Sequence, residues 1–270
     1  MGLDKTFDSA LDAVADIPSG ASVAVGGFGL AGIPWFLIGA LLEQGADDLT
    51  VVSNNCGVDG AGLGLLLEQG RISRVIASYV GENKEFARRY LAGELTVELT
   101  PQGTLAERLR AGGAGIGAFY TPTGVGTLVA EGGLPWRYDE HGRVALASPA
   151  KEVRTFHGKE MVLEESIVTD VALVRAAVAD RAGNCVFHAA ARNFNPAAAM
   201  AGRLTIVETE RLVEVGDLGP DEVHLPGVFV QRVLPLAPKQ AAAKDIEKRT
   251  TRGARLPAEG HAAPTPHGVR

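Results

Sequence analysis

The chain has 270 residues, 46% of them hydrophobic and 21% charged, with a formal net charge of −6 and a pI near 5.6. That length can bury a sizeable core without staples, and the acidic balance argues against a nucleic-acid binder, whose footprint is a basic field. The two cysteines, Cys56 and Cys185, stand far apart in no redox or metal-ligand spacing. No apolar run reaches the ~18 residues of a membrane helix, and the start shows no basic-then-apolar signal pattern. A soluble protein of the reducing cytoplasm is expected.

In chain order, Phe7, Leu11, Val14 and Ala15 lie at helical spacing, so a helix is predicted over 5–16. "PSG" (18–20) breaks it, and "ASVAV" (21–25) reads as a short buried strand. The glycine-rich "GGFGLAGIP" (26–34) follows, and Pro34 suits the first turn of a helix that Gly45 ends. Strands are predicted at 49–55, 74–80 and 95–100, alternating with helices at 63–70, 83–93 and 104–115. Such alternation implies an α/β fold, an open, mainly parallel, doubly wound sheet with helices on both faces. Residues 116–160 are less regular and suggest an inserted hairpin. Beyond it, 171–180, the turn "RAGN" and 185–188 read as strand, turn, strand. A short helix at 195–202 and a strand starting at 203 complete the folded part. One domain is expected over 1–238. The stretch 239–270 is charged, rich in Ala, Pro and Gly and poor in large apolar groups, which predicts a loose tail. No internal repeat is evident.

Gly27, Gly29 and Gly32 satisfy G-x-G-x-x-G between a strand and a helix, a dinucleotide pattern. That fold wants an acid at the end of the second strand. Here the strand ends in Ser53, Asn54 and Asn55. Two adjacent carboxamides at the C-terminal edge of a parallel strand sit where open α/β sheets bind ligands. Each offers a donor and an acceptor without adding charge. A plain turn would use asparagine as well, with Gly57 following. Gln102 follows the strand at 95–100 and belongs to the same edge.

These pieces together resemble the A-type (alpha) subunit of the family I CoA-transferases, and the resemblance is greatest to the 3-oxoacid type. The carrying stretches are "SGASVAVGGFGLAGIP" (19–34), "VVSNNCGVDG" (51–60), "SYVGENKEFARRYLAGELTVELTPQGTLAERLRAGGAG" (78–115), "YTPTGVGTLVAEGG" (120–133) and "DRAGNCVFHAAARNFN" (180–195). Ser19 departs from the family's Asp or Asn, in the turn before the strand. The match spans about residues 5–238, far more than one short pattern. It implies a ping-pong transfer of CoA from an acyl-CoA, succinyl-CoA first, to a 3-oxoacid, acetoacetate first and 3-oxoadipate as runner-up. It also implies that the nucleophilic glutamate lies on a partner chain, the B-type (beta) CoA-transferase subunit, so no catalytic nucleophile is expected in this chain. By motif, Asn54, Asn55 and Gln102 would line the site, and Gly26, Gly27, Phe28 and Gly29 would supply backbone N–H groups and let the partner approach closely. CoA enters as a substrate, no cofactor is held permanently, and the six scattered histidines suggest no metal.

Rival readings remain at this point. Glu82 could be a nucleophile or a helix N-terminal acid favoured by the dipole. Cys56 could be a thiol nucleophile or a small buried residue. Lys84, Arg88 and Arg89 could meet phosphates or form a solvated helix face. A non-catalytic acyl or CoA sensor on the same fold, and an NAD enzyme, are the alternatives of different class.

Overall fold

The computed structural model describes residues 4–244. From the N-terminus run α1 (Ala10–Val14), β1 (Ser22–Val25), α2 (Trp35–Gln44), β2 (Leu49–Val52), α3 (Leu63–Glu68), β3 (Ile72–Ala77), α4 (Lys84–Leu91), β4 (Thr96–Leu99) and α5 (Gln102–Gly113). An insertion follows, made of β5 (Ala118–Thr121), α6 (Leu128–Glu131), β6 (Pro135–Tyr138), β7 (Val144–Ala147), β8 (Val153–Phe156) and β9 (Lys159–Glu165). The chain then returns to the main sheet with β10 (Thr169–Asp180), β11 (Cys185–Val186), α7 (Asn195–Ala201), β12 (Gly202–Val213), β13 (Arg232–Pro235) and α8 (Pro238–Ala242).

The main sheet has the order β13-β12-β10-β1-β2-β3-β4, parallel throughout, with β11 added antiparallel to β10. Successive strand residues face opposite ways, and the core divides accordingly. Val23, Val25, Val51, Val75 and Leu173 pack with α1 to α4, through Val14, Leu37, Leu41, Leu67 and Phe86. Ala24, Val52, Ile76, Ala172 and Val207 pack with α5 and α7, through Leu105, Leu109, Ala198 and Ala199. Both faces of the sheet are therefore covered, the doubly wound arrangement that the alternating pattern predicts. The order runs outward from β1 in both directions, which makes the C-terminal edge between β1 and β10 the switch point where such sheets open a crevice.

Two expectations need correction. The first helix is short. Residues 5–7 instead lie along β13, where Phe7 N–H donates to Val233 O at 2.8 Å and Val233 N–H to Lys5 O at 2.9 Å. The open edge of β13 offers backbone partners that outweigh helical spacing, and Phe7 still packs on the same core. The insertion is also larger than one hairpin. It forms two antiparallel sheets, β5-β9-β8 and β6-β7, in which β7 and β8 are exposed along their whole length, apolar residues included, so alternation gives a weak signal. Of the expected tail, residues 239–242 belong to α8, and residues 245–270 lie outside the described residues. Among the described residues, no helix is long and apolar enough to cross a membrane.

A buried ionic cluster ties α8, β10, β12 and α2 together. Arg175, 2% exposed, reaches Glu208 at 3.2 Å, Glu210 at 3.2 Å and the carbonyl of Ala241 at 3.1 Å. Glu208, fully buried, accepts the N–H groups of Phe36 at 2.9 Å and Leu37 at 3.0 Å. Pro34 gives α2 no side-chain cap, so an acid from a neighbouring strand supplies it, against the positive end of the helix. Burial outweighs Arg175 and the two N–H groups, and pushes Glu208 up from 4.5 to about 7. A carboxyl whose folded value lies above its unfolded one stabilises the fold fully below the unfolded value. That contribution is lost as pH rises through the folded value. Between pH 4.5 and about 7 the protein is thus expected to lose stability, on the order of 3 kcal/mol from this group alone. Urea unfolding of wild type and Glu208→Gln across that window checks this, since the glutamine variant should lack the slope. Parallel slopes in the two proteins would remove the assignment.

Candidate functional site

Two loops leave the C-terminal edge of the sheet beside the switch point, after β1 and after β2, and they share one architecture. In "GFGLAG" (27–32), Phe28 and Ala31 exchange backbone hydrogen bonds of 3.0 and 3.0 Å. In "GVDGAG" (57–62), Val58 and Ala61 do the same at 3.3 and 3.1 Å. Each turn is flanked by left-handed glycines, Gly27 and Gly32 with φ of 111° and 71°, and Gly57 and Gly62 with 65° and 59°. A side chain at these positions would be strained. This pair is a local repeat that sequence comparison does not show, because three of the six positions are shared and the rest carry unlike turn residues. The G-x-x-x-A-G spacing within each turn is the signal that could have found it. The second loop has four residues between strand and turn where the first has one. Those extra residues include Asn54 and Asn55.

The structure joins the three predicted amides in a chain of hydrogen bonds. Gln102, first residue of α5, donates from Nε2 to Asn54 Oδ1 at 2.8 Å. Ser78, just beyond β3, donates to the same oxygen at 2.9 Å. Asn54 Nδ2 donates to Asn55 Oδ1 at 3.2 Å, and Asn55 Nδ2 to Gly57 O at 3.4 Å. Ser78 is a residue that the motif reading missed, although it opens one of the carrying stretches. Asn54 is 2% exposed and Asn55 7%, whereas Gln102 is exposed. Asn54 is thus a buried link, Asn55 the cavity-facing member, and Gln102 the outer end.

Asn55 lines two adjoining cavities. The small one is bounded by Gly26, Gly27, Gly29, Ser53 and Gly57. The larger, about 310 Å³, is bounded by Phe28, Gly29, Val58, Tyr79, Gly81 and Glu82. All four predicted residues of the first glycine loop are therefore at these walls, but they do not all offer free donors. The N–H of Gly26 goes to Leu173 O at 2.9 Å and that of Phe28 to Ala31 O. Among the described residues, the N–H groups of Gly27 and Gly29 remain without a partner. A yet larger cavity of about 360 Å³ lies under the insertion. Its charges neutralise one another, through Arg74 and Arg108 on Glu98 and Lys151 on Glu164, and it is remote from the switch point.

The nucleophile candidates separate clearly. Burial pushes the Cys56 thiol up to about 12, so it is protonated and inert at neutral pH. Glu82 precedes Asn83, whose side chain caps α4 by accepting from Phe86 N–H at 2.8 Å. Glu85 is the acid in the first turn, so Glu82 is not a helix N-terminal acid but an exposed carboxylate on the cavity rim. Arg88, exposed, and Arg89, half-buried, are both paired with Glu85, and Arg88 also with Glu94, so both charges are met by nearby carboxylates. The site is thus a wall of neutral amides and glycine backbone. It can orient a carboxylate or a thioester carbonyl and donate hydrogen bonds to an oxyanion.

The model of the family "Coenzyme A transferase" matches residues 7–235. A Mycobacterium tuberculosis protein, named as the A-type subunit of a probable succinyl-CoA:3-ketoacid coenzyme A transferase, is 63% identical over 250 residues, 93% of this chain and 100% of that protein. A human mitochondrial succinyl-CoA:3-ketoacid coenzyme A transferase is 54% identical over 230 residues, 85% of this chain but 44% of the human one. Among solved structures, an acyl-CoA transferase of Escherichia coli O157:H7 superposes with a TM-score of 0.73 at 23% identity. The match covers 89% of this chain and 48% of that one, and it speaks for the fold alone. With a family match over nearly all of the described residues and a relative 63% identical along its whole length, the chain belongs to the coenzyme A transferase family.

Proposed function

We propose that this chain is the A-type half of a two-chain transferase that moves CoA from succinyl-CoA to a 3-oxoacid, acetoacetate first, with the nucleophilic glutamate on a B-type partner. The observation that carries the reading is the Gln102–Asn54–Asn55 amide chain beside a glycine wall, in a chain 63% identical to a protein named as the A-type half of that enzyme. The human relative, of which this chain matches 44%, has room for the other half in one polypeptide.

In this reading the partner's carboxylate oxygen bonds to the thioester carbonyl carbon, the C–S bond breaks and CoA leaves as thiolate. The thiolate then adds to the glutamyl carbonyl, releasing the first acid as its carboxylate. An acceptor carboxylate runs the two steps in reverse and departs as the new thioester. This is covalent catalysis in easier steps. Each addition turns a carbonyl oxygen into an oxyanion, which Gln102, Asn55 and the N–H groups of Gly27 and Gly29 are suited to meet. Neutral donors suit this task, because they do not hold the departing carboxylate as an ion pair would.

The test is succinyl-CoA:acetoacetate transfer by the purified chain alone and mixed with its B-type partner. Activity is expected in the mixture and absent from the chain alone. Turnover by the chain alone would overturn the reading and return the nucleophile to Glu82, the carboxylate on the cavity rim.

A further inference from the structure

The turn at 27–32 shows one side to the cavities, and a second segment grips it from another. Asn195 is fully buried. Its Nδ2 donates to the carbonyls of Gly32 and Ala191, both at 2.9 Å, and its Oδ1 accepts from Arg175 N–H at 3.1 Å. Asn193 Nδ2 donates to Ala31 O at 3.0 Å and to Ala190 O at 2.8 Å. The two asparagines touch through Asn195 Nδ2 and Asn193 Oδ1 at 3.3 Å. Phe194 between them sets its ring 6.4 Å from that of Phe28. The fit leaves no room: a Cβ on Gly26 would stand 1.9 Å from Asn195 Oδ1, and one on Gly32 2.8 Å from Asn195 Nδ2.

A turn with left-handed glycines at 27, 29 and 32 has an unusually broad free ensemble, and ordering it costs conformational entropy. Donors aimed at its carbonyls offset that cost. We propose that Asn193 and Asn195 are positioning residues for the transfer reaction: without touching substrate, they hold the 27–32 turn so that Gly27 and Gly29 keep their places in the cavity wall beside Asn55. The role rests on the CoA-transfer reading above. Oxyanion donors act through preorganisation, so a loosened turn lowers the chemical step more than it lowers binding.

Asn193 is half-buried, so its variants should fold. Asn193→Ala removes the side chain. Asn193→Asp keeps its size and its acceptor but abolishes donation to Ala31 O. With the partner chain present, both variants are expected to lower kcat about tenfold, the worth of one such hydrogen bond, with KM nearly unchanged. Amide hydrogen exchange at Phe28 and Ala31 should quicken about as much. Wild-type kcat in both variants, or unaltered exchange at these amides, overturns the proposal. Full activity of Asn193→Asp beside a weakened Asn193→Ala overturns it too, because shape rather than donation would then matter. A wild-type pair with no transfer activity sinks the CoA-transfer reading itself, a result distinct from active wild type with equally active variants.

Discussion

Replacing Gln102 with alanine in the assembled enzyme is expected to lower turnover about 10²-fold while the complex stays intact, the usual cost of losing one oxyanion donor. Among the described residues the side-chain amide of Gln102 makes one hydrogen bond, to Asn54 Oδ1 at 2.8 Å. Its second N–H and its carbonyl are left on an exposed residue at the first turn of α5. The fold has little to lose at such a position, since Ser78 still donates to the same Asn54 oxygen at 2.9 Å. Steady-state kinetics alongside size-exclusion chromatography of the complex separates the two effects. Turnover equal to wild type would assign Gln102 to the loop rather than to the chemistry.

The other large effect belongs to stability. At pH 8, above the value of about 7 where Glu208 ionises, Arg175→Met is expected to destabilise the chain by about 3–5 kcal/mol, because it leaves that buried carboxylate without its cation. Arg175 and Glu208 are 2% and 0% exposed at their side chains, and the methionine cannot reach Glu210 or the Ala241 carbonyl as the guanidinium does. Adding Glu208→Gln should restore most of the loss, since the amide oxygen still accepts from Phe36 and Leu37 while the charge is gone. Urea titration of the single and double variants reads both. A single variant within about 1 kcal/mol of wild type, the range of an ordinary substitution, would show that the cluster does not anchor α2.

The layered sheet was legible in the sequence because its signals are local. Short apolar runs such as "SVAV" and "LTVV" run into Gly26 and into Ser53 and Asn54, and Gly45 closes α2 with φ 96° as a C-terminal glycine should. The candidate site was legible as residue types at strand ends: Asn54, Asn55 and Gln102 come together because β2 and β4 end at the same edge. What stayed hidden depends on partners distant in sequence. Residues 5–7 lie along β13 because that edge is open, which no local periodicity records. The cap of α2 comes from Glu208, 172 residues beyond Phe36. Asn193 and Asn195 stand inside one of the family stretches, yet their grip on Ala31 and Gly32 spans about 160 residues and follows only from topology. Spending the Gly26 and Phe28 N–H groups inside the loop likewise could not be read from a glycine count.

The burial of Cys56 has a practical bearing on inhibitor work. Its thiol is fully enclosed in the core on the α1 to α4 face, and burial pushes it up to about 12 and raises Cys185, the other cysteine, in the same direction. Alkylating reagents such as iodoacetamide need thiolate and access, and this chain gives them neither while folded. Covalent labelling of the folded chain at neutral pH is therefore expected to be slow, and labelling of Cys56 becomes a clock for unfolding of the loop that carries it.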